Sequence, residues 1–397
     1  MTIIPSCALA VDFNANFSLS GKVALTDSIV KFAFIKTAQV GPSGRIVSVC
    51  AGFKKVGVRH YAGLRIYSAA GSLQKHVSIK NLRKMVEQWS NRYLVNLLDA
   101  VENHKGDLIA TSSRHLLFFD RSGVLHKAIE LSNLSKLDKE LANAGGLQEA
   151  REVITKKGTW KSIYQVDVGP NGEIVGAGPG HPQPHCLHTF DSTGRLLKDF
   201  LLLEPEYADY YNFEGLDVDS LGDIWCVFDP FYKVFHYGMD GTSKGEILGK
   251  SSVFKSPQDR KAPSSTKKWL RWLKSWTPVV DCAATQSGYV ILVMLAGEAG
   301  KPYMKSYDPE GDMYEGGFFI DIYDREGNMI TGGLHTPHRF LCVDDKDNLW
   351  FDLRPDTPEN PGPPLSKGRS KPEKEPTAVL GKFRLKLPPA ARKAETK

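Results

Sequence analysis

The stretch GLDVDSLGDIWCVF (Gly215–Phe228) contains the pattern that decides the fold of this chain. A short alternating strand runs into a tight turn with Gly222, and an intensely apolar strand follows. Glycine is favoured in this slot because it adopts a positive φ without a Cβ clash. The pattern occurs six times, and the other copies are AQVGPSGRIVSVC (Ala38–Cys50), DAVENHKGDLIAT (Asp99–Thr111), YQVDVGPNGEIVGA (Tyr164–Ala177), VVDCAATQSGYVILV (Val279–Val293) and FLCVDDKDNLWFDL (Phe340–Leu353).

Each copy is followed by a second hairpin, an aromatic strand, a turn and a further apolar strand, as in LHTFDSTGRLLKDFLL (Leu187–Leu202). Two hairpins per unit predict a four-stranded antiparallel sheet, and six such units predict an all-β, six-bladed β-propeller. A seventh blade would need another copy in residues 1–37. The segment FSLSGKVALTDSIVKFAF there has strand character without the full pattern.

The repeat predicts that residues 37–387 form one propeller domain. Residues 1–36 are expected to add an outer strand to the last blade, which closes the ring and removes an open sheet edge. Helical periodicity predicts insertions at about 80–98, 131–158 and 253–276, and the chain's crossings between blades would gather them over one mouth of the channel. Seven prolines predict a loop at 354–377, and residues 388–397 read as a basic, disordered tail.

The phrase pattern VDxxGxIW…FDxxG resembles the NHL-repeat propellers and, more distantly, the gluconolactonase and regucalcin-type propellers. FEGLDVDSLGDIWCVF and TPHRFLCVDDKDNLWF carry the resemblance, which extends from about residue 38 to 387. The gluconolactonase likeness implies a Ca²⁺ or Mg²⁺ ion at the channel mouth, with Glu214 at the position of a ligand carboxylate. No acidic "EGP" phrase opens the first unit, so the family's ligand set is incomplete in this chain.

The net charge of +6 is distributed unevenly along the chain. Ser366–Lys397 carries a net +7 and residues 1–365 a net −1, so no nucleic-acid partner is expected for the propeller body. The six cysteines form no CxxC pair, which favours buried free thiols. No signal peptide or membrane-length apolar run is visible. The expected location is therefore cytoplasmic by default, or exported if the N-terminus is processed.

Several polar and aromatic residues are predicted to meet at the mouth beneath the helical insertions. Imidazoles at such a mouth can bind a transition metal or act as general bases, and the stretch EPEYADYYNFEG combines carboxylates with rings that suit a basic or polyhydroxylated ligand. The predicted ligand-binding residues are Glu214, Tyr210, Tyr211, His60, His181, His185, His338 and Arg339.

The segment SSTKKWLRWLKSW (264–276) is the strongest candidate for an interaction surface. Trp269, Trp272 and Trp276 share one face of a helix with lysines around the other. Such a helix either contacts an anionic membrane or a partner, or packs its indoles on the propeller rim while its lysines stay solvated.

No nucleophile elbow, Walker A loop or dinucleotide fingerprint occurs in the sequence. We therefore predict a non-catalytic binding propeller that recognises an unknown ligand or protein through the face carrying the insertions, with no cofactor. The alternative is a metal-dependent hydrolase of the lactonase or esterase kind, with its Ca²⁺ or Mg²⁺ on Glu214.

Overall fold

The computed structural model describes residues 11–25, 33–55, 58–59, 63–86, 97–112, 114–137, 140, 143–181, 185–202, 212–229, 231–255, 277–296, 317–353 and 378–387. They form six four-stranded antiparallel sheets arranged as the blades of a propeller. The predicted six-bladed fold is confirmed. None of the helices in these ranges is long and apolar enough to cross a membrane.

The chain opens with β1 (Val11–Asp12), the one-turn helix α1 (Phe13–Asn16) and β2 (Phe17–Leu25), and the blades follow in order. Blade 1 contains β3 (Ala33–Val40), β4 (Ile46–Lys55), β5 (Val58–Arg59), β6 (Gly63–Tyr67) and β7 (Leu73–Ser78), with α2 (Ile79–Val86) after it. Blade 2 contains β8 (Asp99–Glu102), β9 (Leu108–Ser112), β10 (His115–Phe119) and β11 (Leu125–Glu130). A 3₁₀ turn (Leu134–Leu137), α3 (Leu147–Lys157) and β12 (Trp160–Lys161) lead to blade 3.

Blade 3 contains β13 (Gln165–Val168), β14 (Ile174–Ala177), β16 (His185–Phe190) and β17 (Leu196–Leu202), and β15 (Gly180–His181) pairs with β12. Blade 4 contains β18 (Asn212–Val218), β19 (Asp223–Asp229), β20 (Lys233–Gly238) and β21 (Ser243–Leu248). Blade 5 contains β22 (Val279–Ala284), β23 (Tyr289–Leu295), β24 (Phe318–Asp324) and β25 (Met329–Thr336). Blade 6 contains β26 (Arg339–Val343), β27 (Asn348–Asp352) and β28 (Ala378–Leu385), with β2 as its outermost strand.

The hydrophobic core lies between neighbouring blades, because each sheet is covered on one face by the preceding blade and on the other face by the following blade. The second strand of a blade is therefore apolar along its whole length, as in β23, where all seven residues from Tyr289 to Leu295 are buried. The innermost strands β3, β8, β13, β18, β22 and β26 surround the channel, and each contacts the innermost strand of the next blade.

The repeat motif has a structural role at the turn between the first two strands of a blade. In blade 4 the Asp219 carboxylate accepts from two turn amides and from the Trp225 indole, Nε1–Oδ2 2.9 Å. In blade 6 Asp344 and Trp350 make the same contact at 2.9 Å. The aspartate thus connects the turn to the apolar strand. The sequence pattern therefore has a structural role within each blade and does not by itself indicate a functional site.

The N-terminal segment completes blade 6 and also contacts blade 5. The β2 strand pairs antiparallel with β28, and β1 adds in parallel to the edge of β25. Between these strands Phe13 and Phe17 stack with their ring centroids 4.2 Å apart. Both rings lie in the core that blades 5 and 6 share, so Phe13 and Phe17 help to hold the last two blades together.

The two faces of the disc differ in their connections. On the capped face the chain passes from the outer strand of one blade to the innermost strand of the next, and this face carries α2 and α3. Leu82 and Val86 of α2 are fully buried against the core of blades 1 and 2. At the base of the predicted Trp-rich insertion, the Thr277 amide donates to the Lys255 carbonyl at 3.0 Å. The opposite face, here the turn face, carries the tight turns within each blade.

Gly215 of blade 4 lies close against the backbone of blade 5. A Cβ at this position would lie 2.5 Å from the Cys282 amide nitrogen and 2.8 Å from Asp281 backbone atoms. We expect Gly215→Ala to lower the free energy of unfolding by about 1–3 kcal/mol, because backbone must move to remove the overlap. Urea denaturation measures the change, and Gly21→Ala is the matched control since it meets nothing within 4 Å. Equal effects of the two variants would contradict this explanation.

Candidate functional site

The structure contains a cavity of about 170 Å³ on the propeller axis, here called the axial cavity. All six innermost strands contribute to its wall, together with the turns that follow them. Because these turn residues lie at the far ends of the strands, the cavity reaches the turn face rather than the capped face. The turn residues at its rim are Pro42, His104, Pro170, Ser220, Gln286 and Asp345, one from each blade.

The lining of the axial cavity is strongly acidic. No lysine or arginine belongs to it among the described residues. Arginines outside the lining pair with two of its carboxylates, Arg45 with Glu102 and Arg325 with Asp219 at 2.7 Å. The other carboxylates create a negative potential that attracts cations where they are ionised. The seven acidic lining residues are Glu102, Asp167, Asp217, Asp219, Asp281, Asp344 and Asp345.

Three carboxylates on innermost strands hold the next blade through its backbone. Asp99 accepts from the Val166 amide at 3.0 Å, and Asp167 accepts from the Val218 amide at 2.7 Å. Asp217 continues the series, accepting from the Ala284 amide at 2.8 Å. Neighbouring innermost strands are too splayed to form a ladder, so these buried N–H groups need side-chain acceptors. The carboxylates form a belt that runs from blade 2 to blade 5.

Burial changes the protonation of this belt. Desolvation raises the pKa of Asp99 to about 6 and that of Asp217 to about 7. It also raises the pKa of Asp167 well above its ordinary value, and the nearby charge of Asp217 adds to the effect. The pKa of Asp281 is raised by burial as well. Near neutral pH the belt is therefore partly protonated, and its carboxyl groups ionise as the pH rises.

Arg339 makes a further contact between blades, outside the belt. It is one of the predicted ligand-binding residues, and its guanidinium donates to the carbonyls of Ile35 at 2.8 Å and Lys36 at 2.6 Å. These bonds join blade 6 to blade 1. The neighbouring His338 is buried, and its backbone amide donates to Thr336 Oγ1 at 3.2 Å. The structure thus places Arg339 in a contact between blades and His338 in the protein interior.

Glu214 lies at a β-bulge near the capped end of β18, where the pairing with β19 shifts. Its backbone carbonyl accepts from Gln165 Nε2 of blade 3 at 2.7 Å. A bulge re-aims a side chain out of the regular alternation. Within the described ranges, however, no group of three or more His, Cys, Asp or Glu side chains is arranged to hold a metal ion.

The other predicted site residues are placed only in part. For His181 and His185 the structure gives the backbone, in β15 and β16 respectively. The remaining predictions lie outside the described residues, namely His60, Tyr210, Tyr211, Trp269, Trp272 and Trp276.

The sequence contained a signal for the belt that the site predictions did not use. Asp167 and Asp217 each lie five residues before the turn glycine of their blades, and Asp99 and Asp281 each lie seven residues before theirs. Acidic residues at the same distance from the turn glycine are expected to lie at the same height in the channel. Alternation alone does not show whether such a side chain faces the channel or the neighbouring strand.

Sequence comparisons find no protein-family model and no curated protein that matches this chain. Solved structures do match. A member of the DUF4221 family from Bacteroides vulgatus is 12% identical over 94% of this chain and 99% of that chain, with a TM-score of 0.58. An exported-protein candidate from Bacteroides fragilis is 8% identical over 95% and 97%, with a TM-score of 0.53.

A gluconolactonase candidate is 10% identical over 95% of this chain and 97% of that chain, with a TM-score of 0.45. At such identities, structural similarity shows the fold alone. The chain is a six-bladed β-propeller by its own structure, and its first two matches are similar to it in fold.

Proposed function

We propose that this protein is a binding propeller that takes a small organic cation, an amine, into the axial cavity without a covalent step. The observation that carries the proposal is the lining, which has seven acidic residues and no described lysine or arginine. A volume of about 170 Å³ equals that of roughly five or six water molecules, so it suits a short aliphatic amine. The carboxylates at the wall would pair with the ammonium group while the methylenes contact Leu216 and Ala283.

The sequence placed recognition on the capped face, whereas the acid-lined cavity favours the turn face. The belt also supports binding over catalysis, because its carboxylates already accept hydrogen bonds from the amides of the next blade. Groups held in that way can attract a cation without being free to transfer protons along a reaction path. The alternative, a metal-assisted hydrolase on Glu214, predicts about one bound divalent ion per chain, which elemental analysis of the purified protein would detect.

Amine binding should depend on Asp217. We expect wild type to bind cadaverine in isothermal titration calorimetry, and Asp217→Asn to bind it at least tenfold more weakly, since a charged hydrogen bond contributes about 1.5–3 kcal/mol. The asparagine keeps an acceptor for the Ala284 amide, so the fold should persist. The affinity for cadaverine should rise with pH up to about 7, because the ammonium group binds the ionised form of Asp217 and protonation of Asp217 competes with that binding.

The matched control is Glu326→Gln, which removes an exposed carboxylate outside the cavity. It should leave the affinity for cadaverine unchanged. Equal weakening by the two variants would show that only the overall charge matters, and a wild type that binds no amine would contradict the proposal.

A further inference from the structure

A second cavity lies beside the axial one on the turn face. It has a volume of about 310 Å³ and separates blades 3 and 4, and we call it the blade 3–4 cleft. The turns after β13 and β18 and the turn between β20 and β21 form its walls. Its lining residues are Pro170, Asn171, Glu173, Leu221, Gly222, Asp223, Gly238, Met239, Asp240 and Lys244.

The two cavities are adjacent. Pro170 lines both of them. The turn of blade 4 also borders both, since Asp219 and Ser220 face the axial cavity while Leu221 and Gly222 face the cleft. A molecule that occupies both cavities must therefore be longer than a simple amine.

Glu173 is the cleft carboxylate with spare hydrogen-bonding capacity. Its Oε2 atom is buried and has no hydrogen-bond partner, and its Oε1 meets Asn171 Nδ2 only at 3.4 Å. A buried, unpaired carboxylate oxygen is costly, so a donor supplied by a ligand would stabilise it. The flexible Met239 thioether packs beside it, close to Gly169, and can move to admit such a donor.

The other charged groups of the cleft are already paired. Asp223 accepts from His236 Nε2 at 2.9 Å and from Lys244, with Arg325 3.9 Å away. The Asp240 carboxylate accepts from Thr242, and its carbonyl accepts from Lys198 Nζ at 2.6 Å. Lys244, the cation in the lining, is thus neutralised by Asp223 and does not compete for Glu173.

The cleft also presents apolar surface to solvent. Leu221 is 65% exposed, the largest value among the large hydrophobic side chains that are exposed in the described residues. Met239 and Pro170 line the same cleft. Such a surface suits the methylene stem of a lysine or arginine, or an apolar neighbour of one.

From these observations we infer that the ligand is a basic peptide segment. One cationic side chain enters the axial cavity, and the next part of the peptide lies in the blade 3–4 cleft, with a donor on Glu173 and an apolar group on Leu221. This inference rests on the proposed function and extends it from a small amine to a peptide. Charge complementarity selects a cationic occupant, because the axial cavity is lined by carboxylates and Glu173 Oε2 of the cleft has no hydrogen-bond partner.

The test compares a fluorescein-labelled hexapeptide of alternating lysine and leucine with the glutamate–leucine analogue and with cadaverine. Wild type should bind the basic peptide at least tenfold more tightly than cadaverine, and should not bind the acidic analogue. Glu173→Gln and Leu221→Ser should each weaken peptide binding about three- to tenfold without changing the affinity for cadaverine. Val124→Ser is the matched control, since Val124 is 46% exposed on blade 2 and lines neither cavity.

The outcomes separate the inference from the proposed function. If cadaverine binds but the peptide binds no more tightly, or if Leu221→Ser and Val124→Ser behave alike, the peptide inference is wrong and the amine proposal stands. If neither cadaverine nor the basic peptide binds, both are wrong. Equal binding of the acidic analogue would overturn the charge argument for both.

Discussion

Raising the pH from about 4 to about 8 is expected to lower the free energy of unfolding by several kcal/mol. Burial raises the pKa of Asp99 to about 6 and that of Asp217 to about 7, from an ordinary value of 3.8. Between these values the folded protein holds protons that the unfolded chain has released, so stability falls as the pH rises. At about 1.4 kcal/mol per pKa unit, the two groups together contribute about 7 kcal/mol, and Asp167 and Asp281 act in the same direction.

The loss caused by Asp99 and Asp217 should begin above the ordinary pKa of 3.8 and end near pH 7. Among the described residues, the carboxylates with a lowered pKa do not oppose it in this window. Burial lowers the pKa of His115 and of His236, so these two groups offset part of the loss. Hydrogen bonds from Thr193 and Arg195 lower the pKa of Asp191 to about 2, so its stabilising effect is complete above pH 4 and is lost only in stronger acid. The hydrogen bonds of His188 and Lys161 outweigh burial at Asp199, whose pKa is also lowered to about 2.

Urea denaturation at a series of pH values measures this dependence, and Asp217→Asn is the informative variant. The asparagine cannot titrate but still accepts a hydrogen bond from the Ala284 amide. The free energy of unfolding of this variant should therefore fall less steeply with pH, by the contribution of one carboxyl group. A wild-type stability that is flat or rises between pH 4 and 7 would contradict the explanation. An unchanged slope in Asp217→Asn would show that other groups cause it.

Phe17→Ala is expected to destabilise the protein by about 3–5 kcal/mol, the usual range for removing a buried phenylalanine from a core. The Phe17 side chain is 1% exposed and stacks on Phe13 in the core that blades 5 and 6 share. Phe13 in turn meets Phe351 and Phe383 edge-on, with centroids 5.5 and 5.4 Å away. A cavity here would separate the N-terminal segment from both blades.

The control for this variant lies on the same strand. Leu19 is 38% exposed on β2, so Leu19→Ala should change the free energy of unfolding by less than about 1 kcal/mol. Both variants keep the pairing between β2 and β28, which confines the comparison to buried side-chain packing. A small effect of Phe17→Ala in urea denaturation would mean that the N-terminal segment adds little to ring closure.

The blades themselves could be predicted from the sequence because their signals are local. Gly222 lies in a turn with a φ of +81°, and Asp347 occupies the equivalent slot with a φ of +58°. The apolar strand that follows each turn is apolar because it is covered on both faces. The pairing of residues 17–25 with the last blade was expected on the principle that a ring avoids open edges, and the structure contains that pairing.

The site was less accessible to sequence reasoning. The resemblance and the insertions directed attention to the capped face and to Glu214, which the structure puts at a bulge. Arg339 is charged, yet its guanidinium holds the carbonyls of blade 1. Asp167 and Asp217 read as ordinary polar residues of half-buried strands, since alternation does not distinguish a channel-facing side chain from a solvent-facing one.

The sequence by itself determined the number of blades, the strands within them and the turns that connect them, because each of these depends on neighbours within about fifteen residues. The tertiary structure decided which carboxylates share the channel and at which face the axial cavity is reached. Those features need six innermost strands, separated by more than forty residues along the chain, to meet at one axis. Burial and the raised pKa of Asp217 exist only once that convergence has occurred.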